Sequence, residues 1–329
     1  MVQPVPAESS RVAVVGGGLS GLTAANVLRD AGSEVVVFDK GRRPGGRSNT
    51  REHDAHRFDH GAQFFTVRDE RVRPLLNAWV DSGVAAPWDG RLIRVEGSTI
   101  QPAKPSTRYV GVPGMIDIAR SLASTVEVRV GVRIKSLTRL DHTWIAVDSE
   151  GETHAPFDRV VVAVPAPQAV PLLSDVPHLQ AVAAAIEMAP IWAAMLVFES
   201  PLPLDFDGAF VADGPISWMA RDSSKPSRPE GEAWVLHATP EWTRDHWNID
   251  RPDIPALLLT ALEDRWGLMP PVIFKRAHRW GFALAGDTTP AHPIFDAESG
   301  LGVCGDWCAG GRIEGAILSG IEIAHLMVD

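Results

Sequence analysis

Cysteine is nearly absent from this sequence. The 329 residues contain two, Cys304 and Cys308, so a disulfide framework is excluded. Their C-x3-C spacing, with no second pair elsewhere, is not that of a structural zinc site. We expect both thiols to act as small hydrophobic side chains in a reducing compartment, and we expect no bound metal. A redox dithiol is the alternative, although neither the spacing nor the context fits a disulfide-exchange motif.

Long apolar segments and a surplus of positive charge are lacking as well. No run approaches the 18 or so uninterrupted apolar residues of a membrane span, and residues 1–10 lack the basic start and apolar stretch of a signal peptide. Acidic residues outnumber basic ones by 41 to 31, for a formal charge of −10, which argues against a basic face for nucleic acid or an anionic membrane. The sequence predicts a cytoplasmic protein that binds neither nucleic acid nor membrane.

The composition, with 45% hydrophobic and 22% charged residues, is that of a folded globular protein. At roughly 150 residues per domain, the length predicts two domains. The N-terminal segment has a β-branched run at 11–15, a helical pattern at 19–31 that ends before Gly32, and a second β-branched run at 34–38. This strand–helix–strand unit has the length that a βαβ crossover needs.

A glycine-rich motif, Gly16-Gly17-Gly18-Leu19-Ser20-Gly21, lies in the first turn of this unit. Gly16 permits the tight turn, Gly18 lets the backbone approach a pyrophosphate, and Gly21 lets the helix pack closely on the strand. The helix N-terminus offers free N–H groups to phosphates. Asp39 ends the second strand, 18 residues after Gly21, and can accept a hydrogen bond from a ribose hydroxyl. The unit therefore predicts a dinucleotide site.

A second match to G-x-G-x-x-G, from Gly300 to Gly305, has a different context. No strand pattern precedes it, and its glycines flank a short strand rather than open a helix. We therefore expect one nucleotide-binding unit in this chain, without a second Rossmann unit for another nucleotide.

The first motif fits FAD and NAD equally, but two later features favour FAD. Gly45-Gly46-Arg47 places a cation on a glycine turn, suited to a second face of the pyrophosphate. Near the C-terminus a strand ends at Asp306 and a helix begins near Gly315, so that a carboxylate can hold a ribityl chain and a helix N-terminus can face the flavin pyrimidine edge. A solvated basic loop at 40–57 and an ordinary strand–turn–helix are the alternatives.

Together these motifs resemble those of the FAD-containing amine-oxidase-like superfamily. Within it, further segments are similar to the bacterial renalases and keep their order over most of the chain. These segments are residues 59–68, 108–115, 164–168, 218–221, 236–239, 278–280 and 304–308. Phe64 stands where a tyrosine can occur and Tyr109 where a tryptophan can, so that both positions keep an aromatic ring.

The resemblance implies an α/β fold, with a Rossmann-type FAD-binding domain and a second, mixed α+β substrate domain, both discontinuous in sequence. We expect the FAD-binding domain at residues 1–75, 106–168 and 273–329, and the substrate domain at 76–105 and 169–272. Within the first of these domains, residues 126–134 alternate polar and apolar side chains, which predicts one half-buried strand.

The resemblance also implies noncovalent FAD and an oxidase that acts on the misreduced 2- and 6-dihydro isomers of NAD(P)H. The products would be NAD(P)+ and, after reoxidation by dioxygen, hydrogen peroxide. We expect cofactor contacts from Gly16, Gly18, Leu19, Ser20, Gly21, Asp39, Lys40, Gly46, Arg47, Ala62, Gln63, Ile134, Asp306 and Ile313. The resemblance places Phe64, Phe65, Thr66, Arg68, His237 and Trp280 on the substrate side. No catalytic acid or base is assigned, because hydride transfer is the chemistry of the cofactor itself.

Other readings of the same residues stay open. An amine or other small-molecule oxidase of the same superfamily is one alternative, and a noncatalytic flavoprotein is another. Tyrosine is nearly absent and arginines recur among the expected site residues, which favours an anionic substrate over an amine. His237 and Trp280 also fit ordinary core packing. Four further cations are candidates for phosphate contacts, with surface exposure as the alternative, namely Arg68, Arg221, Lys225 and Arg279.

Overall fold

The computed structural model describes residues 10–286 and 292–328. The signal-peptide expectation for residues 1–10, apart from Ser10, falls outside these residues. The strands are β1 (Arg11–Val15), β2 (Glu34–Asp39), β3 (Thr50–His53), β4 (His56–Asp59), β5 (Ala85–Pro87), β6 (Leu92–Glu96), β7 (Thr99–Pro102), β8 (Tyr109–Gly111), β9 (Glu127–Val130), β10 (Ile134–Leu140), β11 (Thr143–Asp148), β12 (Thr153–Phe157), β13 (Arg159–Val162), β14 (Met188–Phe198), β15 (Gly208–Val211), β16 (Ile216–Arg221), β17 (Glu232–Ala238), β18 (Val272–Ala285), β19 (Ile294–Asp296) and β20 (Leu301–Val303).

The α-helices are α1 (Leu19–Asp30), α2 (Arg73–Asp81), α3 (Ile116–Ala123), α4 (Ala166–Ala169), α5 (Pro177–Ala184), α6 (Pro240–Asp245), α7 (Ile254–Trp266) and α8 (Ile313–Val328). Within the described ranges, none of them is both long enough and apolar enough to cross a membrane.

The chain divides into two compact units, and the first comprises Met1–Gly46, Ala119–Glu187 and Ala285–Asp329. Its main sheet has the strand order β19-β20-β13-β1-β2-β9, and β1 pairs in parallel with both β2 and β13. The residues of β1 from Val12 onward are buried, as expected for a parallel sheet covered on both faces. Helix α1 packs closely on α8, because Gly320 has no Cβ to collide with the Ser20 carbonyl oxygen. The Rossmann-type part of the predicted fold is confirmed.

One expected strand of the first unit is divided in two. Strand β9 ends at Val130 and β10 begins at Ile134, whereas the alternating pattern predicts a single strand over 126–134. Gly131 lies between them with φ +76°, in a region that favours glycine, and its N–H donates to the Gly41 carbonyl. The chain turns there, so that β9 joins the main sheet and β10 begins a separate antiparallel sheet, β10-β11-β12.

The second unit comprises Arg47–Ile118 and Met188–Leu284. Its main sheet has the order β18-β14-β17-β16-β15-β6-β7. Neighbouring strands are antiparallel from β14 to β15, whereas β15 pairs with β6 in parallel. Helix α7 supplies Ile254, Leu258 and Leu262 to the core of this unit. Sheet and helices together confirm the mixed α+β character predicted for the second domain.

The bounds of the two units differ from the predicted domain bounds. Residues 47–75, 106–118 and 273–284 belong to the second unit, and residues 169–187 belong to the first. The cause is long-range hydrogen bonding, for which a local sequence pattern gives no signal. The Asp59 N–H donates to the Asp222 carboxylate, and the Met115 N–H donates to the Asp59 carboxylate. In the first unit the Arg139 N–H donates to the Asp175 carboxylate.

Candidate functional site

The glycine turn between β1 and α1 leaves open space at the N-terminus of the helix. Gly16 has φ +118°, and a Cβ there would lie 2.6 Å from the Ala163 carbonyl oxygen. A Cβ at Gly21 would collide with the Gly16 carbonyl, so both positions require glycine. Gly18 differs, because a Cβ there would meet no atom within 4 Å. The free space beside Gly18 and the N–H groups that begin α1 fit a pyrophosphate.

A second glycine turn lies against the first. The Gly45 N–H donates to the Gly17 carbonyl over 2.7 Å. Gly46 has φ +51°, and a Cβ on it would lie 3.6 Å from the Cα of Gly18. These two expected cofactor positions, Gly18 and Gly46, are therefore brought together by the fold, with small residues on both sides of the open space.

Asp39 lies at the end of β2 and is held by the backbone. Its carboxylate accepts from the N–H of Gly17 over 2.8 Å and from the N–H of Gly41 over 2.6 Å. Burial raises the pKa of Asp39, against these two hydrogen bonds and the nearby Lys40. Each carboxylate oxygen retains a lone pair for a ribose hydroxyl. Lys40 itself donates to the Gln168 side chain over 2.5 Å.

The C-terminal segment is tied to the same helix as the glycine turn. The Ser319 hydroxyl lies 2.9 Å from the Ser20 hydroxyl and accepts from the Gly305 N–H. Asp306 follows directly and is nine-tenths buried. Helix α8 begins at Ile313, two residues before the position expected from sequence. Ile134 and Ile313 are also buried. Strand β20 ends at Val303, three residues before the expected strand end at Asp306. The open glycine turns, with Asp39 at the end of β2 and Asp306 in the turn after β20, fit an FAD molecule.

The two cysteines behave as the composition predicts. Both are buried and free, and the Cys304 sulfur accepts from the Ser20 hydroxyl. Burial raises the pKa of Cys304 to about 12 and also raises that of Cys308. Neither thiol forms the thiolate that disulfide exchange needs.

In the second unit, two expected substrate residues converge on one carbonyl group. The indole N–H of Trp280 donates to the His60 carbonyl over 2.8 Å, and His237 Nε2 lies 3.2 Å from the same oxygen. The rings of His60 and Trp280 are stacked at 5.1 Å, and His278 lies 4.9 Å from His60. We call His60, His237, His278 and Trp280 the histidine cluster. His60 and His278 lie in the renalase-like segments 59–68 and 278–280, but the sequence predicts no role for them.

All three histidines of this cluster are neutral at pH 7. Burial lowers the pKa of His60 to about 3, and it lowers those of His237 and His278 to about 4. Nearby cations act in the same direction on His278. The cluster therefore offers uncharged ring surface without an acid or base poised near neutrality.

We expect acid to destabilise the protein through this cluster. Between pH 6.5 and 4 the unfolded chain binds a proton at His237, whereas the folded chain does not. The free energy of unfolding therefore falls as the pH falls. At about 1.4 kcal/mol per pKa unit, His237 accounts for roughly 2–3 kcal/mol. Urea titrations at pH 7 and pH 4.5 measure this loss. His237→Gln should reduce it and the exposed His142→Gln should not. An equal loss in wild type and His237→Gln contradicts the prediction.

The other expected substrate residues have different surroundings. Phe64 is half-buried, and its ring lies 5.5 Å from that of Trp218. Phe65 is 3% exposed and packs against Trp79 and Tyr109, so its ring offers little surface to a ligand. Thr66 is half-buried and Arg68 is exposed. Trp218 is the partner of His237 in the pairing of β16 with β17, which joins Phe64 to the histidine cluster through one ring.

A fully buried set of charges fixes the segment that carries Gln63. The Lys225 ammonium contacts the carboxylates of Asp59, at 3.1 Å, and of Asp222. It also donates to the Gln63 side-chain oxygen over 3.3 Å, and the Gln63 amide donates to the Asp59 carbonyl. Arg228 lies 2.6 Å from the Asp59 carboxylate. Lys225 is therefore a partner of carboxylates, not the phosphate contact that the sequence suggests. We call Asp59, Asp222, Lys225 and Arg228 the buried charge cluster.

Two further cations are paired within the second unit. Arg221 forms ion pairs with Asp207 and Glu232. Arg279 donates to the Trp247 carbonyl and lies 3.9 Å from the centre of the Trp247 ring.

Arg47 donates to the Ala283 carbonyl, and its own carbonyl accepts from the Ala62 N–H. Thus Arg47 and Ala62, both expected to contact the cofactor, are joined directly.

Known proteins share this fold and parts of this sequence. Phytoene desaturase (neurosporene-forming) of Rhodobacter capsulatus is 42% identical over 26% of this chain, although the match spans 16% of the desaturase. Renalase of Mus musculus is 22% identical over 97% of this chain and 98% of that protein. The structure of putrescine oxidase bound to putrescine has a TM-score of 0.72 at 14% identity and covers 98% of this chain and 100% of that one.

Two family profiles match the chain. Residues 14–79 match the NAD(P)-binding Rossmann-like domain, in agreement with the glycine turn and Asp39. Residues 90–328 match the flavin containing amine oxidoreductases, which is most of the chain. This protein therefore belongs to the flavin containing amine oxidoreductase family.

Proposed function

We propose that this protein is an FAD-dependent oxidase similar to renalase, which oxidises the 2- and 6-dihydro isomers of NAD(P)H to NAD(P)+. The cofactor is noncovalent FAD, and the acceptor is dioxygen. In balanced form, one dihydro isomer, one proton and one dioxygen give one NAD(P)+ and one hydrogen peroxide. The observation that carries the proposal is the match to mouse renalase, since it extends over 97% of this chain and 98% of that protein.

The cofactor residues proposed on the first unit are those around the open glycine turns. Gly18 leaves room for the pyrophosphate, and the first N–H groups of α1 donate to it. Asp39 accepts a hydrogen bond from a ribose hydroxyl. Asp306, in the turn after β20, binds the ribityl chain. When bound, FAD would supply the hydride acceptor and the redox link to dioxygen.

The second unit supplies neutral ring surface in the histidine cluster that suits a dihydropyridine. The histidine cluster carries no charge at pH 7, and hydride loss from a ring carbon requires no side chain to remove a proton. His237 and Trp280 are fixed on the His60 carbonyl, and the half-buried ring of Phe64 offers a surface for stacking. These residues hold and orient the ring.

Isomer selectivity tests the proposal. The three dihydro isomers have nearly the same charge and shape, so uniform binding cannot separate their rates. Orientation of the ring can separate these rates, because it determines which ring carbon is presented to the hydride acceptor. Anaerobic mixing with each purified isomer, followed at the flavin absorbance, should show fast reduction by 2- and 6-dihydroNAD and slow reduction by ordinary 4-dihydro NADH. Equal rates for the three isomers, or reduction by simple amines alone, would reject the proposal.

The family description favours a second candidate, an amine or other small-molecule oxidase. Its support in the structure is the same neutral ring surface, since neutral aromatic walls also suit an uncharged amine. The same anaerobic experiment with a panel of primary and secondary amines separates the two. If neither isomers nor amines reduce the flavin, the third reading, a noncatalytic flavoprotein, takes their place.

A further inference from the structure

Arg108 is a cation among aromatic rings. Its side chain is half-buried, and its guanidinium carbon lies 5.5 Å from the ring centre of Phe64 and 6.0 Å from that of Phe210. Its hydrogen bonds go to two backbone carbonyls, those of Lys104 and Ser106. Within residues 10–286 and 292–328, no carboxylate forms an ion pair with it. The removal of an arginine from water without an anionic partner is unfavourable unless a ligand compensates.

The same ring cluster contains a second polar group with unused bonding capacity. Trp218 is 6% exposed, and its indole N–H is buried without a hydrogen-bond partner in the described part of the chain. Its ring lies 4.5 Å from Phe210 and 5.5 Å from Phe64. An unpaired buried donor is destabilising, so this cluster holds both a donor and a cation whose bonding capacity a ligand can use.

We propose that Arg108, Phe64, Phe210 and Trp218 form a subsite for a phosphate group attached to a flat aromatic ligand. The phosphate pairs with the Arg108 guanidinium, the ring of the ligand lies against Phe64, and the Trp218 N–H is the additional donor. The inference rests on the proposed function and names the part of the substrate that sets specificity, its phosphate.

The positive charge of Arg108 explains how this residue discriminates between anionic and cationic substrates. The chain carries a formal charge of −10, so an anionic substrate needs a local positive group to overcome long-range repulsion. The neighbouring Lys225 lies 5.6 Å from the Trp88 ring, but the Asp59 and Asp222 carboxylates already neutralise it. Arg108 therefore attracts phosphates and repels protonated amines, which separates the two candidate substrate classes.

Calorimetry with two ligands that differ by one phosphate tests the subsite. Nicotinamide mononucleotide and nicotinamide riboside are titrated into the FAD-loaded wild type and into Arg108→Gln and Arg108→Lys. Loss of a charge-assisted pair should weaken mononucleotide binding about 10- to 100-fold in Arg108→Gln, with riboside binding changed less than about twofold. Arg108→Lys keeps the charge without the fork of donors, so its affinity for the mononucleotide should lie between those of the wild type and Arg108→Gln. Trp218→Phe keeps a ring and should weaken mononucleotide binding by up to about tenfold.

Two outcomes overturn the inference. One is equal weakening of both ligands in Arg108→Gln, which shows that the side chain only packs the rings. The other is a wild type that binds the mononucleotide no more tightly than the riboside. Because calorimetry needs no turnover, a protein that prefers the mononucleotide but is not reduced by any dihydro isomer loses the proposed oxidase function and keeps the phosphate subsite. Reduction by the isomers with no phosphate preference leaves the oxidase and rejects the subsite.

Discussion

Replacing Gly18 by glutamate should abolish FAD retention while leaving the fold intact. A Cβ at Gly18 meets no protein atom within 4 Å, and its backbone, with φ −78°, suits any residue. The new side chain therefore enters the space proposed for the pyrophosphate, and its carboxylate repels the phosphates. We expect FAD affinity to fall at least about 100-fold, which is about 3 kcal/mol.

The measurement is the dissociation constant for FAD added to the apo protein, with circular dichroism as the check on folding. Ala31→Glu is the matched control, because it adds the same charge at the exposed opposite end of α1 and should leave FAD affinity unchanged. Gly21→Val is not informative here, since its Cβ would collide with the Gly16 carbonyl and disturb the turn itself. Retention of FAD by a folded Gly18→Glu variant would place the cofactor elsewhere.

Replacing Lys225 by methionine should destabilise the second unit strongly. The Lys225 side chain is 0% exposed. Its removal leaves the fully buried carboxylates of Asp59 and Asp222 with Arg228, which pairs with Asp59, as the remaining ion-pair partner among the described residues. Burial alone would raise the pKa of Asp59. The ammonium of Lys225 and the guanidinium of Arg228 instead hold that pKa well below its usual range. Breaking such a buried pair costs about 3–5 kcal/mol, because an uncompensated charge remains. Denaturant titration at pH 7 measures the loss.

Two companion variants locate the origin of that loss. Lys225→Met combined with Asp222→Asn removes one positive and one negative charge and leaves Asp59 paired with Arg228, so it should recover much of the stability. Arg91→Met breaks the exposed ion pair with Asp205 and should cost no more than about 1 kcal/mol. If Lys225→Met costs no more than Arg91→Met, the buried charge cluster does not stabilise the fold.

The candidate site could be predicted from sequence only where its geometry is local. Gly16, Gly18 and Gly21 lie within six residues of each other, and the turn, the helix start and Asp39 follow from a single strand–helix–strand pattern. Lys225 shows the opposite case. It lies in a loop rich in serine and proline, which is typical of a surface, yet it is buried because Asp59, 166 positions earlier, approaches it in the fold.

By itself, the sequence determined the Rossmann-type unit, the α/β class, and the buried, unreactive state of the two cysteines, because these follow from local spacing and composition. Tertiary contacts bring His237 and Trp280, 177 and 220 positions from His60, to the His60 carbonyl. They also turn the chain at Gly131 within a predicted strand, and among residues 10–286 and 292–328 they place Arg108 over the ring of Phe64 with no carboxylate paired to it. The physical reason is that sheet pairing joins segments far apart in the chain, and burial then sets the charge of each group.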